Sequence, residues 1–169
     1  LVVFELHGTT RLAATLTAVL VLLAMAAPHA HAAAIERVSV ASDGAEGDMS
    51  STASALSAGG RFVAFVSSAT NLVPDDTNFM LDVFVHDRLT GTTERVSVAA
   101  DGTEADGQSA TPSLSADGRY VAFASAATNL VPGDSNGAFD VFVRDRVAGT
   151  IERVSVASDG SEGNFDSIS

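Results

Sequence analysis

"PSLSADGRYVAFAS" at 112–125 places the turn pair Asp117-Gly118 between two β-prone runs, and "SALSAGGRFVAFVS" at 54–67 repeats the arrangement around Gly59-Gly60. A glycine-containing pair between such runs is the signature of a hairpin closed by two residues. The likeness extends well beyond the hairpin. "ERVSVASDGAEGD" at 36, "ERVSVAADGTEAD" at 94 and "ERVSVASDGSEGN" at 152 start 58 residues apart each time. Between 35–92 and 93–150, 36 of 58 positions are identical, so the chain is a tandem array with a third, partial copy at 151–169. Each copy is one supersecondary unit.

Inside a copy the periodicity is that of strands. After the hairpin comes "DVFVHD" at 82–87 or "DVFVRD" at 140–145, then a turn with Gly91 or Gly149, then "ERVSV" as a fourth strand. No segment after Ala34 carries a sustained helical apolar spacing, which makes the remainder all-β. "RFVAFV" is apolar on both faces, with Phe62, Ala64 and Val66 on one and Val63 and Phe65 on the other, as a strand covered above and below requires. "ERVSV" alternates, which predicts an outer strand with Val38 and Val40 inward and Arg37 and Ser39 outward. Four-stranded antiparallel sheets with doubly covered inner strands describe β-propeller blades stacked on their neighbours.

Composition narrows the partners. The chain has 169 residues, a net charge of −12, nine arginines, no lysine and no cysteine. With twenty-one acids and no basic stripe it has nothing to neutralise a phosphate backbone, so nucleic acid is excluded as a partner. Disulfides, thiolate zinc sites and a cysteine nucleophile are excluded as well.

Location is read from the other end. Arg11 precedes an apolar run at 12–27, followed by "PHAHAAA", and this reads as a signal peptide over 1–32 with cleavage after Ala32. The run falls short of the roughly 20 apolar residues that span a bilayer, so no membrane span is expected after cleavage. The expected location is secreted or periplasmic. Cleavage leaves 33–169, a partial propeller of about two blades plus part of a third, whereas closed rings have roughly four to eight. The expectation is that missing blades or self-association complete it.

"SADGRYVAFAS" and "DVFVRD" resemble the TolB-like propeller repeats of bacteria, which combine a Ser-x-Asp-Gly turn, a strand ending in Ala-Phe and a later Asp-led hydrophobic strand. The resemblance covers 35–169. It departs at Gly59, which replaces the turn aspartate, and in blade length, about 15 residues over the usual 40 to 45. What it implies is a propeller serving as a non-enzymatic, protein-binding scaffold.

Two acidic loops carry the candidate chemistry. In "GDSNGAFD", Asp134, Asn136 and Asp140 set hard oxygen donors around Gly137, and the first copy offers Asp76, Asn78 and Asp82. Calcium selects such donors on a bent loop. The stretch is similar to a shortened calcium loop of integrin-type propellers, although the first ligand position falls on Pro132. The alternative is that the acids cap turns through hydrogen bonds to backbone, with Asp82 and Asp140 fixing the strand entry. Asp43, Glu46 and Asp48, in the second loop, are likewise read as cation donors or as a solvated Asp-Gly turn.

Catalysis finds little support. His86 is the one histidine after the signal segment, and Arg144 takes its place in the next copy, which points to an outward polar position rather than a base. No G-x-S-x-G is present. Arg88 and Arg146 are expected to pair with acids on adjacent strands or blades. The functional readings are therefore a binding scaffold, a calcium-binding extracellular propeller, and the noncatalytic propeller part of an envelope hydrolase.

Overall fold

The computed structural model describes residues 35–163 and 166–167; the expected signal segment at 1–32 lies outside them. Two four-stranded antiparallel sheets follow one another, β1 (Ser51–Leu56), β2 (Phe62–Ser67), β3 (Asp82–Asp87) and β4 (Thr92–Arg95), then β5 (Ser109–Leu114), β6 (Tyr120–Ser125), β7 (Asp140–Asp145) and β8 (Thr150–Arg153). Each sheet is a simple meander in sequence order, the form of a propeller blade. Among the described residues no helix is long and apolar enough to cross a membrane.

Three local features differ from the sequence expectation. The β1–β2 connection is longer than two residues: Ser57 N–H donates to Phe62 O, and Gly60 N–H to Ser57 O. Only the second residue of each pair is left-handed, with φ 66° at Gly60 and 73° at Gly118. A serine decides this, because Ser115 Oγ accepts from Tyr120 N–H and donates to Asp117, closing a wider loop. Secondly, β1 and β5 each carry a bulge, with Ala53 and Thr111 at positive φ and the register slipping between Thr52 and Ala55 and between Ala110 and Ser113.

Thirdly, only the first two residues of "ERVSV", Glu94 and Arg95, lie in the fourth strand. That strand is Thr92–Arg95, and the chain then leaves the sheet after Val96 N–H donates to Val83 O. Ser97 lies fully buried, its Oγ accepting from Val83 N–H and donating to Asp82. The Arg95 side chain is only 7% exposed. In this copy the polar alternation thus marks side chains turned inward, whereas Arg37 of the first copy is exposed, as expected.

Register explains the core. Ala64 pairs with Val85 and Val66 with Val83, so these four share one face of the first blade; Phe65 pairs with Phe84 on the other. The first face packs on Val121, Phe123, Phe142, Ala127 and Leu130 of the second blade, forming the main apolar core. Repetition makes the second core: Phe65, Phe84, Ala69 and Leu72 are the first-blade images of Phe123, Phe142, Ala127 and Leu130. Conversely Tyr120, Val141 and Val143 correspond to Phe62, Val83 and Val85. Val83 and Val85 are fully buried, whereas Val141 and Val143 are half-exposed and Tyr120 is 41% exposed. The same surface is thus dry where it meets another blade and wet where it does not.

Candidate functional site

The β2–β3 loop, the end of β4 and the segment leading to the next blade meet at one end of each sheet, here termed the loop end. In the first blade the Arg95 guanidinium stands 3.1 Å from Asp76, 3.6 Å from Asp82 and 2.6 Å from Glu104. Glu104 also accepts from the Thr77 N–H at 2.8 Å and its hydroxyl at 2.6 Å. In the second blade Arg153 lies 3.0 Å from Asp134, 3.3 Å from Asp140 and 3.2 Å from Glu162. The loop is thereby tied to the segment that enters the next blade.

All six residues proposed as calcium donors come together in these two clusters, each built around an arginine. The position between the carboxylates is filled by a guanidinium, itself a cation with fixed donor directions. The amide presents its NH2 group to the carboxylate. Asn136 donates through Nδ2 to Asp140 at 2.9 Å and to Gly163 O at 2.8 Å, while its Oδ1 accepts from Ala138 N–H. Asn78 repeats this toward Asp82, Ala105 and Met80. Among the described residues no group of three or more histidine, cysteine, aspartate or glutamate side chains is arranged to hold a metal.

Three carboxylates around one arginine leave excess negative charge out of water. Burial pushes the Asp76 carboxyl up to about 6, with Arg95 opposing and the charges of Asp82 and Glu104 adding to the rise. Burial also raises Asp82 and Asp134. Glu104 moves the other way: burial raises it, but the hydrogen bonds from Thr77 and Arg95 together bring it below its ordinary value. Arg95 Nε, Arg153 Nε and Asp134 Oδ2 are buried without a hydrogen-bond partner among the described residues.

The second acidic loop separates into distinct roles. Asp43 accepts from Ala45 N–H at 2.9 Å, a local turn around left-handed Gly44, and Asp101 and Asp159 repeat it. Glu46 pairs with Arg37, as Glu104 does with Arg95. Asp48 accepts from Thr70 N–H and hydroxyl, and Asp106 does the same with Thr128.

At the opposite end, where the β1–β2 and β3–β4 turns lie, arginines are matched one to one. Arg61 pairs with Asp87 and Arg119 with Asp145, each at 2.6 Å, and these hydrogen bonds hold both carboxyls well below the usual range. Arg88 meets Glu36 and Arg146 meets Glu94, the latter crossing from the second blade to the first. The expected pairing of Arg88 and Arg146 is what the structure contains. His86, read as outward, is buried: its Nδ1 sits 2.8 Å from Thr93 Oγ1, which donates to Val40 O. In the second blade Arg144 replaces this relay and donates directly to Val98 O and Ala99 O, with Ile151 in place of Thr93. The role of Arg95 and Arg153 as hubs is not evident from local sequence; their joint recurrence with the loop acids at the 58-residue spacing is the available signal.

No protein-family model and no curated protein matches this sequence. Among solved structures, the chain is similar to a putative TolB from Agrobacterium tumefaciens, with 17% identity and a TM-score of 0.43 over 64% of this chain and 31% of that one. It is also similar to TolB from Acinetobacter baumannii, with 19% identity and a TM-score of 0.41 over 68% of this chain and 23% of that one. The chain spans less than a third of the length of either structure.

Proposed function

We propose that this chain is a segment of a secreted or periplasmic β-propeller acting as a non-enzymatic protein-binding scaffold, with the loops of successive blades forming the contact surface. One observation carries the reading. The charged side chains that recur in both repeats are engaged in locking loops and blades to one another, as Arg95 and Arg153 do, while the residues that differ between repeats fall mostly in the loops and in the edge strands β1 and β5. Repeated geometry with variable loop tips is how rigid scaffolds present recognition surfaces. The buried state of His86 and its engagement with Thr93 weigh against a role as an exposed general base.

Photocrosslinking tests this in cells that make the protein. A photoreactive side chain at Asp75 or Ser135, on the loop end, is expected to trap one defined envelope protein, and the purified pair should re-form the complex. Absence of any complex, or turnover of ester, peptide or glycoside substrates by the purified chain, would count against the scaffold.

A further inference from the structure

Three large apolar residues sit at the loop end of the first blade where its twin has almost nothing. Met49, Phe79 and Met80 correspond to Gly107, Gly137 and Ala138. They are 60%, 81% and 37% exposed. Hydrogen bonds from Thr70 and Asn71 to the 46–48 segment, together with those from Thr77 and Asn78 to Glu104 and Ala105, hold this loop in one place.

Phe79 is anomalous on two counts. Its φ is 57°, a left-handed conformation that bulky side chains rarely adopt, and Gly137 makes the same bend at 63° without that strain. Its ring is also turned to water, so the strain is not offset by burial within the blade. The turn has left-handed geometry that suits glycine, and at 81% exposure the phenyl ring adds little burial to the fold. A strained, exposed aromatic on a fixed loop is the form of an interface anchor.

The surroundings select the partner. The Arg95 cluster sets three carboxylates against one guanidinium, and Asp48, Asp75 and Asp106 are exposed around the same end. Anionic membranes and nucleic acid are repelled by such a surface. Two copies of this chain meeting through it would place like charges together. From the repeat asymmetry and this charge we propose that Phe79, next to Met80 in the chain, docks into an apolar pocket of a protein whose rim carries lysine or arginine. The proposal rests on the scaffold reading and adds the site and the chemistry of the partner.

The test pans a random peptide library on the full chain. Selected peptides are then measured against wild type, Phe79→Gly and Leu89→Ala, the last altering an exposed apolar residue at the opposite end. Phe79→Gly should melt at or above wild type, since glycine serves at 137. The expected result is peptides with an apolar centre and basic flanks, whose affinity falls about tenfold or more in Phe79→Gly, drops with added salt, and is unchanged in Leu89→Ala. Peptides lacking basic residues, or indifferent to Phe79→Gly, overturn the proposal and leave the scaffold reading standing. Failure to select any binder removes both. Self-association of the wild type that Phe79→Gly abolishes also overturns it, since the occupant would be a second copy.

Discussion

A Cβ built on Gly118 would lie 2.1 Å from the Phe62 ring, so the turn of the second blade rests directly on an aromatic side chain of the first. Arg61 and Arg146 guanidiniums lie 4.7 and 4.5 Å from the centre of that ring and limit its escape. Gly60, the equivalent residue in the first blade, has no such neighbour: its nearest contact would be Arg88 at 3.6 Å.

The contrast between these glycines isolates the interface. Both have positive φ, so Gly60→Ala is expected to lose roughly 1 kcal/mol to backbone strain. Gly118→Ala adds a clash between blades and should lose roughly 2 to 4 kcal/mol. Urea unfolding of the two variants measures the difference, and equal losses would show that the blades do not meet at Phe62.

The arginine hubs lead to a second expectation. Removing the Arg95 side chain leaves Asp76 and Asp82 buried without their counter-charge, a change costing about 3 to 5 kcal/mol. Millimolar calcium, compared with chelator, should leave the melting midpoint of wild type where it is. The same ion should raise the midpoint of Arg95→Ala, because the emptied space is lined by hard oxygen donors. A calcium-induced rise in the wild type would restore the ion-binding reading of Asp134, Asn136 and Asp140.

Stability should also depend on pH in a direction fixed by the buried acids. Asp76 titrates near 6 in the folded chain against an ordinary value of 3.8. Between those values the folded state holds a proton that the unfolded state has released, so this group's contribution falls as pH rises through the window. Asp87 and Asp145 have the opposite sign, their contribution being present above the ordinary carboxylate range and lost as pH falls below it. The unfolding free energy from urea titrations should therefore fall between about pH 5 and about pH 6, by an amount on the order of 1 kcal/mol, and the fall should shrink in Asp76→Asn. An unchanged slope in that variant would assign the effect elsewhere.

Much of the architecture is legible because the chain repeats it. The 58-residue period and the doubly apolar runs at 62–66 and 82–85 lead directly to stacked four-stranded sheets. Polar residues are harder to place. Ser97, Arg95 and His86 look like surface positions from local alternation, yet all three lie inside, because each satisfies a partner distant in sequence or outside the sheet ladder. Local periodicity reports the pleat and is silent about a buried ion cluster. The acidic loops stand out in the sequence as special, but their cation is Arg95 or Arg153, some 13 residues beyond Asp82 or Asp140 in the chain.

The stacking of the two repeats is what all of this depends on, and a nuclear Overhauser effect between the Phe62 ring protons and the Gly118 α-protons in the full chain reports it directly. A strong cross-peak is the expected result, because a Cβ on Gly118 would come within 2.1 Å of the ring. Its absence from a spectrum that resolves both signals would mean that the blades fold apart, and the shared core, the hubs' role between blades and the scaffold would fall together.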